Sequence, residues 1–123
     1  MYQLRRAALV SFLLTLALLS LSCGTSNGGP TLTSIAIAPI SPNITVGDTQ
    51  QFTATGHFSD GTTSNITPQS SWSSDNSTVA TVENFGTQPG LATGKSVGKA
   101  NITVSFTQGS SSVKATTDLT VEK

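Results

Sequence analysis

Residues 51–58 alternate without a break between polar and apolar or small side chains: Gln51-Phe52-Thr53-Ala54-Thr55-Gly56-His57-Phe58. A period of two places Phe52, Ala54, Gly56 and Phe58 on one face of an extended strand and leaves the other face to water. Shorter segments with the same rhythm follow one another along the chain beyond residue 21, at 34–38, 42–46, 64–67, 70–74, 78–82, 91–93, 100–106 and 113–121. Pro39, Pro42, Gly47-Asp48 and Asp60-Gly61 punctuate them, and no stretch there has a helical period. Many short strands separated by turn residues predict an all-β sandwich or barrel. Segment 42–46 reads as a continuation of the first strand past its proline break, at a sheet edge.

Composition narrows the choice. Ser and Thr supply about a third of the residues after Ser22. Thr suits the solvent face of a strand, because its branched Cβ packs on the pleat while its hydroxyl meets water. The same region carries four lysines against six carboxylates, a balance of −2 spread along the chain. With no basic patch to neutralise phosphates, nucleic acid is not an expected partner. Its length fits one domain with one modest core. The chain has a single cysteine, so no disulfide can join two sheets and the core must close by packing alone. Trp72, the only tryptophan, is the expected centre, ringed by Phe52, Phe58, Val79, Val82, Ile102 and Val104.

That cysteine, Cys23, ends a different kind of segment. Arg5 and Arg6 precede an apolar run at 7–21, followed by Ser22 and Cys23. The run is short for a membrane span, which needs about 20 residues, and suits an export signal. The small residue before the cysteine and the leucines upstream resemble the lipobox of bacterial lipoproteins, although Ser20 stands where that motif usually has leucine. The resemblance implies cleavage after residue 22, lipid on Cys23, and a membrane partner through that lipid. Gly24 in place of Asp implies outer-membrane delivery. Ordinary signal-peptidase cleavage, leaving a free thiol, is the alternative. The expected division is a lipoprotein signal at 1–22, a flexible Gly/Ser/Asn-rich tether at 23–33, and a folded domain at 34–123.

Five pieces within 34–121 carry a family resemblance. They are Ile44-Thr45-Val46-Gly47-Asp48-Thr49-Gln50-Gln51-Phe52-Thr53-Ala54, Phe58-Ser59-Asp60-Gly61-Thr62-Thr63, Trp72-Ser73-Ser74-Asp75-Asn76 and Val79-Ala80-Thr81-Val82. The fifth joins Gly90-Leu91-Ala92-Thr93-Gly94 to Gly98-Lys99-Ala100-Asn101-Ile102-Thr103-Val104. In this order they resemble the group 2 bacterial immunoglobulin-like domain, related to modules of the invasin and intimin adhesins. The resemblance implies an immunoglobulin-like, two-sheet antiparallel sandwich without an inter-sheet disulfide, and a structural, adhesive or protein-interaction role at the cell surface. The chain departs from the family between Val82 and Leu91, where a longer loop, 83–90, replaces a tight turn.

Catalytic chemistry has little to work with. His57 is the only histidine; the alternation places it outward, and a general base needs a nucleophile and an orienting partner nearby. Zinc would need Cys and His clusters and calcium several converging carboxylates, whereas Asp48, Asp60 and Asp75 each sit beside a turn. Neither a metal, a cofactor nor enzymatic activity is expected. Four Asn-x-Ser/Thr triplets, headed by Asn43, Asn65, Asn76 and Asn101, are expected by chance in so Thr-rich a chain rather than as glycosylation sites. A monomer that meets an unknown surface protein or a glycan is the expectation. The candidate contacts are Asp60 and Gly61 in one loop and Phe85, Gly86 and Gln88 in the other, Phe85 being the one aromatic ring expected outside the core.

Overall fold

The computed structural model describes residues 28–123; the signal, Cys23 and most of the tether lie outside the described residues. Ten strands and one 3-10 turn make up the domain. They run β1 (Leu32–Ala38), β2 (Asn43–Thr45), β3 (Thr49–Gln51), β4 (Thr53–Phe58), β5 (Thr63–Asn65), the 3-10 turn (Thr67–Gln69), β6 (Ser71–Ser74), β7 (Ala80–Val82), β8 (Leu91–Gly94), β9 (Gly98–Gln108) and β10 (Ser111–Glu122). No α-helix occurs among the described residues.

One layer is the sheet β2-β10-β9-β6. The other consists of β1-β4-β5 and β3-β8-β7, which share one path because β3 runs into β4 with only Phe52 between them. Every strand pair is antiparallel except β2 with β10, which is parallel. This corrects one expectation. Segment 42–46 does not extend β1; after Pro39 the chain crosses to the opposite sheet and lies beside β10. The Ser41 N–H, donating to the buried Thr117 Oγ1 at 2.9 Å, ties that crossing down. A proline ends a strand by removing a ladder donor, but which sheet takes the next strand is decided by long-range pairing.

Strand β1 also begins earlier than the expected domain boundary. Leu32 and Thr33, assigned above to the tether, belong to β1, and Leu32 is buried. Gly56 makes room for it: a Cβ there would lie 2.7 Å from Leu32 Cδ1 and 3.3 Å from Ile66. The segment expected as a strand at 64–67 becomes β5 and then the 3-10 turn, with Pro68 at its start.

The core lies between the layers. Trp72, Ala100, Ile102, Val104, Leu119 and Val121 face Ile37, Phe52, Ala54, Ile66, Ala80 and Ala92. Phe52 and Trp72 meet with ring centroids 6.4 Å apart and planes tilted by 31°, within the range where aromatic pairs attract. Phe58 and Val82 are half-buried and pack against this cluster from its margin, because each closes its strand near a turn. Ile66, Leu119 and Val121 take the fully buried places. Among the described residues no buried side-chain nitrogen or oxygen lacks a hydrogen-bond partner.

Candidate functional site

The loop 83–90 joins β7 to β8 and is fastened at both ends. Glu83 N–H donates to Leu91 O and Gly90 N–H to Glu83 O, each at 2.8 Å. At its near end, Asn84 Oδ1 accepts the Trp72 N–H at 2.6 Å, on the open edge of β6. At its far end, Gln51 Nε2 donates to Pro89 O at 2.8 Å and Phe52 N–H to Gly90 O at 2.9 Å. The loop is therefore a cover clipped to the sandwich flank beside the indole. Between the clips, Gly86 and Gln88 are exposed, and Phe85 is 75 % exposed. An apolar ring held out from an anchored loop is available for contact, but one ring offers little stacking area.

Asp60 and Gly61 form the turn between β4 and β5. Asp60 Oδ1 accepts from Thr62 Oγ1 at 2.6 Å and from Thr62 N–H at 2.9 Å. These bonds, the hydroxyl's first, hold the carboxyl below its ordinary range. This turn lies at the far end of β4 from Phe52, about 20 Å along the strand. The two loops are thus not brought together into one site.

The bacterial Ig-like domain (group 2) profile matches residues 31–117. The chain belongs to that family. It is similar to "Ice-binding protein 1" of Shewanella frigidimarina (strain NCIMB 400), 49% identical over 94 residues, which make up 76% of this chain and 10% of that protein. The chain thus spans about a tenth of that relative's length. In fold it is similar to domains 4 and 5 of the S-layer protein SbsC, with a TM-score of 0.60, 21% identity, and coverage of 79% of this chain and 55% of that one. Domains 5-6 of the same protein match with a TM-score of 0.57, 22% identity, and coverage of 76% and 45%.

Several other polar residues of this Ig-like domain bond within its own turns and edges. Asp48 Oδ2 accepts from the Thr45 hydroxyl across the turn that follows β2. Asp75 binds the Asn101 N–H at 2.7 Å and its Nδ2 at 2.9 Å. The asparagines of the four triplets are engaged likewise: Asn43 with Glu122, Asn65 with the Thr67 N–H, and Asn76 with the Thr78 hydroxyl, beside Asn101 with Asp75. His57 lies exposed on β4, between Ser34 and Thr63. Among the described residues no three His, Cys, Asp or Glu side chains gather where they could hold a metal ion, and no cavity opens between the layers.

Two contributors to this architecture were not foreseen from sequence. Asn84 had no special signal; only the register of β6 shows that it caps an edge. Gln108 holds the chain as it enters β1: its Oε1 accepts the Leu32 N–H at 2.9 Å and its Nε2 donates to Pro30 O at 3.3 Å. One carboxamide thus serves both polarities, as a neighbouring strand would.

Proposed function

We propose that the protein is a non-enzymatic display module: one Ig-like domain attached to the cell envelope by lipid on Cys23, in a structural, adhesive or protein-interaction role. The observation that supports this best is the sealed interior. Core side chains fill the space between the layers, the buried polar atoms among the described residues are satisfied from within, and His57 and the carboxylates are dispersed over strands and turns. What such a molecule offers to others is its surface. The fold itself hosts many functions, so its role rests on the surface and the anchor. Ice binding is named for a relative of which this chain covers only a tenth.

The anchor is tested by feeding cells a clickable fatty acid. Wild-type protein should take up the label and Cys23→Ser should not. Absence of label from the wild type, or equal label in both, would remove the anchor from this reading.

The exposed ring of Phe85 supports a second reading, a module for cell-wall or extracellular glycan. A glycan array probed with residues 23–123 separates the two. Binding that Phe85→Ala abolishes favours the glycan; no glycan signal, together with a protein captured from intact envelope, favours the first reading.

A further inference from the structure

The edge of a sheet presents N–H and C=O groups with which another strand can pair. Most edges of this sandwich are short. Strands β2, β3, β5 and β7 have three residues each, and β6 has four, with Asn84 bonded to its edge. Strand β1 is longer, but its ladder shifts between Leu32 and Ser34 and it ends before Pro39. Strand β10 differs. On one side β9 pairs with it from Ser111 to Val121, while on the other β2 covers only Thr120 to Glu122. Ser111 to Thr117 therefore have no strand on that second side.

The direction of the open groups follows from β2. Thr120 N–H donates to Pro42 O, and Glu122 O accepts the Val46 N–H. Even-numbered residues of β10 thus turn their backbone away from β9, and the unbroken register with β9 carries this alternation back along the strand. The N–H and C=O groups of Ser112, Lys114 and Thr116 face outward. Among the described residues no backbone group bonds them.

The lane beside these groups is bounded. At one end stands the turn at 109–110, where β9 folds into β10. At the other end the register of β2 brings in Pro42, which has no N–H to continue the ladder. Lys114 lies midway between. A second copy entering the lane antiparallel can advance only until its own 109–110 turn meets Pro42. That stop sets the register, with Lys114 opposite Lys114 of the second copy and Ser112 opposite its Thr116, on both sides. About six backbone bonds would form. On the inner face, half-buried Val113 would meet Ala115 of the second copy, again on both sides.

The stretch complements itself except at its centre. There two ammonium groups stand on paired residues with Cα atoms about 5.5 Å apart, and like charges directly opposite destabilise a strand pair. The ladder gives Lys114 no other use. On β9 it faces Ser105, and the rows beside it pair Ser112 with Thr107 and Thr116 with Thr103, so no carboxylate flanks it there.

We propose that the open edge of β10 is a pairing surface for a second copy of this domain, and that Lys114 keeps it closed and holds the domain monomeric. The charge at position 114 decides which copy is accepted: one with a carboxylate there pairs, and an identical one is repelled. The pairing needs neither lipid on Cys23 nor the ring of Phe85.

Sedimentation velocity on the full chain, extracted in nonionic detergent, reads this directly. Wild type and Lys114→Glu should each sediment as monomers, since both place like charges at the centre. Mixed in equal amounts they should associate about tenfold more tightly than either does alone. High salt should weaken the mixed dimer and favour association of wild type, because attraction holds the first and repulsion opposes the second. Lys114→Thr should dimerise with itself. Adding Thr116→Pro should undo that dimer, because it removes an outward N–H and leaves the bonds to β9 in place. Circular dichroism checks that each variant keeps its sheets. A mixture that stays monomeric overturns the proposal. So does a wild type that dimerises as tightly as Lys114→Thr, or a Lys114→Thr dimer that survives Thr116→Pro.

Discussion

Gly90 lies against the face of Trp72: a Cβ built on it would stand 3.1 Å from the indole Cε2 and Cζ2 and 2.7 Å from the Phe52 carbonyl oxygen. Its φ of +84° belongs to the region that L side chains avoid. The loop 83–90 closes over the sandwich flank only because this position has no side chain. Gly90→Ala therefore adds a left-handed conformation, which costs about 1–2 kcal/mol, to a steric clash with backbone that cannot swing away. We expect a loss of more than about 2 kcal/mol in urea unfolding, with Trp72 emission, expected to be blue-shifted in the folded wild type because the indole is buried, moving toward that of a wetter indole. Thr87→Ala, in the exposed part of the same loop, should stay within about 0.5 kcal/mol of wild type.

Trp72 itself is 3 % exposed and donates its indole N–H to Thr67 O at 3.1 Å. Replacing it by alanine empties the centre of the core, with no covalent link to hold the layers together. The cost should be about 3–5 kcal/mol, a large part of what a domain of this size has. Trp72→Phe keeps most of the volume and loses the N–H bond, so its penalty should be clearly smaller. Far-ultraviolet circular dichroism through a urea titration reads both without relying on the tryptophan signal.

Thr67 fills a gap in a strand ladder. Its Oγ1 accepts the Ala54 N–H at 2.8 Å and lies 3.4 Å from Ala54 O, in a buried setting. Thr67→Val preserves the shape and leaves that N–H without a partner, which should cost about 1–3 kcal/mol. Thr67→Ser should recover most of the loss. If valine and serine behave alike in thermal unfolding, the hydroxyl is not what holds β4 here.

The rhythm of 51–58 made β4 readable because each inward residue, Phe52, Ala54 and Gly56, has the same two-residue spacing as the pleat. The lone cysteine likewise showed that packing must close the core. Ile66 escaped notice because it stands in the polar run Asn65-Ile66-Thr67-Pro68, where the chain bends from strand into turn and no alternation marks the inward side. The partner of β2 was hidden for another reason: its parallel pairing with β10 joins residues nearly eighty positions apart, and nothing local encodes it. Leu32 looked like tether because the Gly/Pro-rich stretch runs right up to it, and its contact is with Gly56, far along the chain. At the candidate loop, Phe85 was readable as the aromatic left over from the core. The clip that positions it was not, since Asn84 acts on a strand edge that exists only once β6 has paired with β9.

Asp60 gives the domain a small acid-sensitive element. The hydroxyl and N–H of Thr62 both donate to its Oδ1 and favour the ionised carboxylate, so its folded pKa lies below the ordinary 3.8. A group whose pKa falls on folding contributes stability that is complete above the unfolded value and is lost as pH drops through the folded one. The window therefore opens at about 3.8 and extends downward. Because Asp60 is fully exposed, solvent screens the effect, and a shift in urea midpoint is expected rather than acid unfolding. Asp60→Asn can still accept both hydrogen bonds but carries no charge. The midpoint of wild type should exceed that of Asp60→Asn at neutral pH, and the two should converge as the acid is protonated below 3.8. A gap that stays constant through that range would show that turn geometry, not ionisation, is what Asp60 contributes.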